Sequence, residues 1–127
     1  MGYTVKWNQC SQNELCPEFL QDVKTACEKY TAETGEQLET LIESDVVKVN
    51  SLTNGCEDLV VNNIGQGSQF CKTLELPYDL IVKAILLIAK KYDYIYNLRC
   101  DGKNNCDNED FQLAKDFVKK YGLLVFN

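Results

Sequence analysis

A short segment in the middle of the chain carries the residue types of a nucleophile and its helpers. The segment reads FCKTLELPYDL over residues 70–80. A thiol becomes reactive when a nearby cation lowers its pKa, so Cys71 beside Lys72 suggests a nucleophile, with Tyr78 and Asp79 as proton carriers. The same letters also predict a strand, a turn and a helix that begins at the proline. Chemistry and architecture are therefore two competing interpretations of one segment.

Strand geometry favours the architectural interpretation. Adjacent side chains on a strand point to opposite faces, so Lys72 turns away from Cys71 if the segment is extended. Pro77 fits the first turn of a helix because its missing N–H costs nothing there, and Asp79 can accept hydrogen bonds from the free backbone amides of that turn. We predict a buried Cys71, a solvated Lys72 and a structural joint between a strand and a helix.

A functional site at this joint is the alternative hypothesis, and it requires Tyr78 and Asp79 to converge with Glu57 or Asp101. The chain contains no histidine. Cys-His and Ser-His-Asp nucleophiles and His-ligated metal sites within one subunit are therefore excluded. Acid–base chemistry would have to use carboxylates, lysine, tyrosine or thiolate. The alternative is thus a histidine-free enzyme or small-ligand binder in the neighbourhood of Cys71, Tyr78, Asp79 and Asp101.

Composition bounds the class of protein. The 127 residues, 45% of them hydrophobic, suit a single globular domain over residues 1–127. The net charge of −6 argues against direct nucleic-acid binding, because that role needs a clustered basic face. The chain shows neither a secretory signal nor an apolar run that could span a bilayer. We expect an intracellular, cytoplasmic protein that does not contact membranes.

The cysteine pattern indicates reduced thiols rather than disulfides. The seven cysteines form an odd set without a signal peptide. Cys10 and Cys16, like Cys100 and Cys106, are separated by five residues, which is wider than the usual zinc spacing. The acidic segment 101–110 offers oxygen ligands for calcium but lacks the order of an EF-hand. We expect no cofactor and no bound metal, and elemental analysis of the purified protein would test for zinc or calcium.

Hydrophobic periodicity predicts an α+β fold with a mostly antiparallel sheet of four to six strands and three main helices. The predicted strands cover residues 3–8, 45–52, 57–63, 68–74 and 92–98, and the predicted helices cover residues 17–33, 77–91 and a last segment capped by Asp107 or Asn108. Asn54-Gly55 predicts a type I′ turn in a hairpin. Residues 31–44 are predicted to be a surface connection with a short helical turn around Leu38, Leu41 and Ile42.

Two apolar segments predict where the core lies and where a second subunit could pack. From Leu80 to Ala89 only Lys83 interrupts the apolar run, so this helix must be covered on most sides. Residues 123–126 are too apolar to extend into water. We expect this tail either to close the core as an edge strand or to pack against another subunit.

Three blocks of the sequence carry a family resemblance. The chain opens with Met-Gly-Tyr-Thr and has Cys-Lys-Thr at 71–73 ahead of Pro-Tyr-Asp at 77–79. In this it resembles an uncharacterised family seen in actinobacteria, phages and large DNA viruses of amoebae, including marseillevirus-like members. Where many members have His and Tyr, this chain has Val5 and Lys6. The resemblance implies a shared fold and no established activity. Together with the joint it gives the candidate site residues Tyr3, Trp7, Glu57, Cys71, Lys72, Thr73, Tyr78, Asp79 and Asp101.

These observations favour a small, non-enzymatic intracellular protein that forms a dimer through its tail or a sheet edge and binds a protein partner. If the family resemblance extends to a viral origin, the protein acts in the cytoplasm or nucleus of a host cell. The histidine-free enzyme or ligand binder remains the alternative function.

Overall fold

The computed structural model describes residues 3–100 and 111–123 and has an α+β fold, as the sequence predicts. The elements within these residues are β1 (Thr4–Gln9), α1 (Pro17–Thr34), β2 (Leu38–Ile42), β3 (Val46–Ser51), β4 (Leu59–Asn62), β5 (Gly67–Lys72), α2 (Asp79–Lys91), β6 (Ile95–Cys100) and α3 (Gln112–Lys120). No helix among the described residues is long and apolar enough to cross a membrane.

The strands form two antiparallel sheets of three strands each. The first sheet has the order β5-β1-β6, and the second has the order β2-β3-β4. In the first sheet, β1 is central and pairs with strands that come much later in the chain. The second sheet is a meander of neighbouring strands. The strand number therefore agrees with the prediction, while the strands are divided between two sheets.

Helix α2 forms the centre of the core. All nine residues from Ile81 to Ala89 are buried, including Lys83. The helix contacts α1, α3 and β6. Each large aliphatic side chain that is fully buried contributes about 1.5–3 kcal/mol. The predicted covering of this helix is thus observed, and it brings together elements from both halves of the chain.

The ends of helix α1 are set by a proline and a glycine. Pro17 is its first residue, and its buried face includes Phe19, Val23 and Tyr30. Gly35 ends the helix with a φ of 76°, and its N–H donates to the carbonyl of Thr31 at 2.8 Å. Glycine adopts this left-handed conformation without the Cβ clash that other residues meet.

The prediction of a helical turn around residues 38–42 is wrong, because these residues form β2. The strand pairs with β3 from Leu38 opposite Ser51 to Ile42 opposite Val47. Two apolar residues four positions apart fit one face of a strand as well as one face of a helix. The neighbouring strand β3 supplies the backbone partners and so decides between them.

The β3–β4 hairpin is confirmed, but the predicted type I′ turn is wrong. Residues 52–58 connect the strands, and neither Asn54 nor Gly55 has a positive φ. The side chain of Asn50 donates to the carbonyl of Cys56 at 3.2 Å and to the carboxylate of Asp58 at 2.8 Å. A Cβ on Gly55 would lie 1.8 Å from Oδ1 of Asn50. Glycine therefore leaves room here for the Asn50 side chain, which a Cβ would displace, and does not serve a positive φ.

The last strand and helix are shifted from their predicted positions. Strand β6 begins at Ile95 rather than at residue 92, because Asp93 turns the chain with a φ of 63°. Helix α3 is present as predicted, and it buries Ala114, Phe117 and Val118. The predicted turn and helix cap within 101–110 and most of the apolar tail lie outside the described residues.

Candidate functional site

The FCKTLELPYDL segment is the joint between β5 and α2, as the sequence predicts, although α2 begins at Asp79 rather than at Pro77. Strand β5 ends at Lys72, and the backbone N–H groups of Thr73 and Leu74 both donate to the carbonyl of Tyr3, at 3.0 and 3.1 Å. Leu74 and Glu75 then take left-handed φ angles of 57° and 56°. This reversal carries the chain away from the sheet edge and into α2.

Cys71 lies on the core side of the joint. Its side chain is fully buried, and its Sγ lies 3.5 Å from the carbonyl oxygen of Glu57. Burial and, after it, the negative charge of Glu57 raise the pKa of the Cys71 thiol from 9.0 to about 12. Lys72 is exposed on the opposite face of the strand. The thiol is therefore protonated at neutral pH, and none of the described residues brings a cation to it that would lower its pKa.

Tyr78 uses its hydroxyl group to tie the loop of residues 52–58 to the end of β5. The hydroxyl donates to the carbonyl of Glu57 at 2.8 Å and accepts from the N–H of Cys56 at 3.1 Å. It also lies 3.3 Å from the carbonyl of Lys72. Burial is the main cause of a strongly raised pKa for Tyr78. A proton carrier would need a pKa near neutrality, so the role of this hydroxyl is to hold the backbone of the loop in place.

Glu57 binds the backbone at the edge of β5, next to Tyr78. Its carboxylate accepts from the N–H of Lys72 at 2.7 Å, and its own N–H donates to the Lys72 carbonyl at 3.2 Å. Glu57 and Tyr78 do converge here, but the alternative hypothesis also requires Asp79, whose carboxylate binds Thr73 and Lys83 instead. Glu57 and Tyr78 both bind backbone groups here, and Cys71 is fully buried beside them.

The other candidates form a second cluster at the start of α2. Thr73 donates from Oγ1 to Oδ1 of Asp79 at 2.5 Å, and Oδ2 of Asp79 lies 2.7 Å from Nζ of Lys83. Lys83 also donates to the hydroxyl of Tyr3 at 2.8 Å. The described contacts of the Asp79 carboxylate are thus with these side chains, whereas the sequence predicted contacts with backbone amides. Lys83 was missed as a site residue, although Asp79-x₃-Lys83 is the spacing of an ion pair on one helix face.

This second cluster borders a cavity of about 360 Å³. Tyr3, Asp79 and Lys83 lie on its polar side, and Leu76, Leu80 and Leu113 are among the apolar residues that line it. Leu113 is itself highly exposed at 76%. The cavity is within the size range of small-molecule sites and combines apolar walls with a few polar groups.

Trp7 is buried on the inner face of the first sheet and does not line this cavity. Its indole Nε1 is buried without a hydrogen-bond partner among the described residues. Asp101 lies outside the described residues, as does Cys106 of the predicted zinc pair. Within residues 3–100 and 111–123, no three side chains of the metal-ligating types cluster in a way that could hold an ion.

Comparisons of the chain with family models, with curated proteins and with solved structures find no match. The resemblance carried by the opening residues and by the joint therefore stays a hypothesis, and the function must be argued from the geometry of the chain.

The first prediction concerns the Tyr78 hydroxyl. In Tyr78→Phe, the carbonyl of Glu57 and the N–H of Cys56 lose their hydrogen-bond partner, so we expect the free energy of unfolding to fall by about 1–3 kcal/mol. Tyr96→Phe is the matched control, because the Tyr96 side chain is half exposed, and it should change stability by less than about 0.5 kcal/mol. Urea unfolding measures both. Equal losses in the two variants would contradict the structural role of Tyr78.

The second prediction concerns the Cys71 thiol at alkaline pH. The unfolded thiol loses its proton near pH 9, whereas the folded thiol keeps it up to about 12, so its contribution to stability is complete below pH 9 and is lost as the pH rises toward 12. The stability difference between the wild type and Cys71→Ala should shrink by about 1.4 kcal/mol per pH unit above 9. Urea unfolding at pH 8, 9 and 10 measures this difference. A difference that stays constant would show that the thiol is not held neutral.

Proposed function

We propose that the protein is a non-enzymatic protein that self-associates by adding strand β5 of one copy to strand β5 of another. The observation that carries the proposal is the open stretch of backbone at Ser68 and Phe70, on the outer edge of the first sheet. An unpaired strand edge is a template for pairing with a second chain.

The direction of these backbone groups follows from the register of β1 and β5. Thr73 donates to the Tyr3 carbonyl across the two strands, so every second residue of β5 turns its N–H and C=O toward β1. Ser68, Phe70 and Lys72 alternate with those residues and turn theirs outward. Glu57 occupies the groups of Lys72, whereas no other described residue bonds to the backbone of Ser68 or Phe70. The open edge is therefore short and well defined.

This short edge suits an isologous dimer. Antiparallel pairing centred on Gln69 would place Ser68 of one copy opposite Phe70 of the other. The two-fold symmetry of the dimer would form this pair twice. The result is a continuous sheet of six strands. The Phe70 side chain, which is 62% exposed, would then cover part of its partner on the outer face of that sheet. Because few residues take part, we expect a weak dimer with a dissociation constant in the micromolar range or above.

The geometry of the joint supports the non-enzymatic part of the proposal. Cys71, Tyr78 and Glu57 are engaged with one another and with backbone groups, and the pKa values of the thiol and of the phenol are raised rather than moved toward neutrality. These residues hold α2 against the sheet and present no activated group to a substrate.

The third prediction is that Ser68→Pro prevents self-association. The amide of Ser68 points outward, so proline removes no hydrogen bond to β1 and places its ring where a second strand would pair. Ser68→Ala is the matched control, since it keeps the amide. Sedimentation velocity between 1 and 300 μM should show a concentration-dependent dimer for the wild type and Ser68→Ala, and a monomer for Ser68→Pro.

Two outcomes would overturn the proposal. A wild-type chain that stays monomeric over the whole concentration range would remove self-association altogether. A dimer that Ser68→Pro leaves unchanged, while circular dichroism shows the variant folded, would place the interface elsewhere.

A second candidate function is the binding of a small amphiphilic molecule in the cavity beside Asp79 and Lys83. It is favoured by the size of the cavity and by the polar groups that converge on one side of an otherwise apolar lining. This candidate corresponds to the histidine-free ligand binder, with Tyr3 and Lys83 in place of Cys71 and Tyr78.

The fourth prediction tests this candidate by native mass spectrometry of gently purified protein. If the cavity is a site, a small molecule of defined mass stays bound to the wild type. Leu80→Trp should abolish that mass, because the larger side chain fills the cavity, whereas Leu41→Trp on the second sheet should retain it. A wild-type spectrum without a bound molecule, or one that Leu80→Trp leaves unchanged, would count against the cavity.

A further inference from the structure

The outer face of the first sheet combines exposed aromatic side chains with cations. Strand β1 contributes Thr4, Lys6 and Asn8 to this face, β5 contributes Ser68, Phe70 and Lys72, and β6 contributes Tyr96 and Arg99. Phe70 and Tyr96 are 62% and 53% exposed. Neither aromatic side chain is needed for the core, because Val5, Trp7, Cys71 and Leu98 fill the inner face of the same sheet.

The register of the strands fixes how these side chains alternate. Lys6 lies opposite Phe70 on one side and opposite Arg99 on the other. Asn8 lies opposite Tyr96 in the same way. Since neighbouring strands are about 4.8 Å apart, the two aromatic side chains stand on strands roughly 10 Å apart with a row of cations beside and between them.

A β-bulge in β6 helps to form this face. The pairing of β1 with β6 shifts between Lys6 and Asn8, and Asn97 takes a left-handed φ of 55° within the bulge. The extra residue keeps both Ile95 and Leu98 in the core while Tyr96 stays outside. Arg99 donates from Nη1 to the carbonyl of Asn97 at 2.8 Å and to Oδ1 of Asn8 at 3.2 Å. These bonds orient its guanidinium group along the sheet.

The local charge of the face is opposite to the charge of the whole chain. Lys6, Lys72 and Arg99 are its charged residues, and no outward position of the three described strands holds Asp or Glu. Glu57, among the described residues, lies beside this face at the β5 edge, where its carboxylate accepts from the N–H of Lys72. Exposed charges are screened within about 8 Å at physiological ionic strength. A ligand on this face therefore experiences these cations more strongly than the net charge of −6.

We propose that the outer face of the first sheet binds single-stranded nucleic acid, with bases stacked on Phe70 and Tyr96 and phosphates held by Lys6, Lys72 and Arg99. Base stacking on exposed aromatic side chains and a cationic path for the backbone are the two requirements for binding a single strand. The inference goes beyond self-association, because the whole face belongs to one copy of the chain.

The chemistry of the face favours a single strand over the other polyanions that could bind it. In a duplex the bases are stacked on one another and cannot reach side chains on a flat sheet. An acidic peptide would use the cations but would gain little from aromatic side chains that stand apart among them. The proposal departs from the expectation drawn from net charge, because residues 6, 72 and 99 form a basic face only after folding.

The experiment is fluorescence anisotropy with a labelled 12-nucleotide single-stranded RNA of mixed sequence at 50–200 mM salt. We expect binding that Phe70→Leu and Tyr96→Leu each weaken about tenfold, since leucine keeps the apolar surface but removes the stacking ring. Log affinity should fall with log salt with a slope of about −2 for three phosphate contacts. Lys72→Gln should reduce the magnitude of that slope by about 0.7.

A matched control comes from the other sheet. Lys48 is an exposed lysine on β3, and Lys48→Gln should leave affinity and salt slope unchanged. The Ser68→Pro chain keeps all five binding side chains, so it should still bind if the nucleic-acid proposal is correct, whether or not it has lost self-association.

Three results would overturn the inference. One is the absence of binding by the wild type at 50 mM salt. Another is equal binding of polyglutamate that Phe70→Leu does not weaken, which would show attraction between charges alone. The third is an equal effect of Lys48→Gln and Lys72→Gln, which would show that no particular face binds.

Discussion

The burial of α2 is the constraint on which the rest of the structure depends. An apolar helix buried from Ile81 to Ala89 has no surface left for water, so other elements must surround it. It contacts α1 from the first part of the chain, and β6 and α3 from the last part. Its flanking segments also build the first sheet, because β5 leads into α2 and β6 follows it. Both strands pair antiparallel with β1, so β5 and β6 run parallel to each other on either side of it.

The same constraint accounts for the polar residues around the joint. A helix that is buried from its first turn needs its entry fixed, and Tyr78 does this by binding the backbone at Cys56 and Glu57. Lys83 is the one charged side chain in the buried run, and a buried charge is tolerated when it is paired and hydrogen-bonded. Asp79, one helical turn earlier, supplies the opposite charge. Residues that resemble a reactive constellation in sequence thus stabilise the start of the central helix.

Sequence patterns predicted an element correctly where the residues of that element determine its structure. They failed where the structure depends on contacts with a neighbouring element. The proline, the apolar period and the glycine that bound α1 are local, and so the helix was predicted within a residue. The strand β2 was not, because only its pairing with β3 separates it from a helical turn. The candidate site shows the same difference between local and distant contacts. The opposite directions of Cys71 and Lys72 follow from strand geometry alone, whereas the contact of Lys83 with Tyr3 joins residues 80 positions apart. No local pattern could have revealed that contact.

This difference between local and distant information also explains why the most suggestive motif and the proposed binding surface do not coincide. Cys-Lys-Thr and Pro-Tyr-Asp suggest a site because their polar groups are close in sequence, but these groups meet at the entry of a buried helix, where they bind the backbone and one another. The residues of the outer sheet face come from three strands that are distant in sequence, and they are brought together by the register of β1 with β5 and β6. Their side chains do not fill the core, and Lys72 takes part in the joint only through its backbone. Side chains that folding aligns on an exposed face can contact another molecule, and that makes the outer face a better candidate for function than the motif.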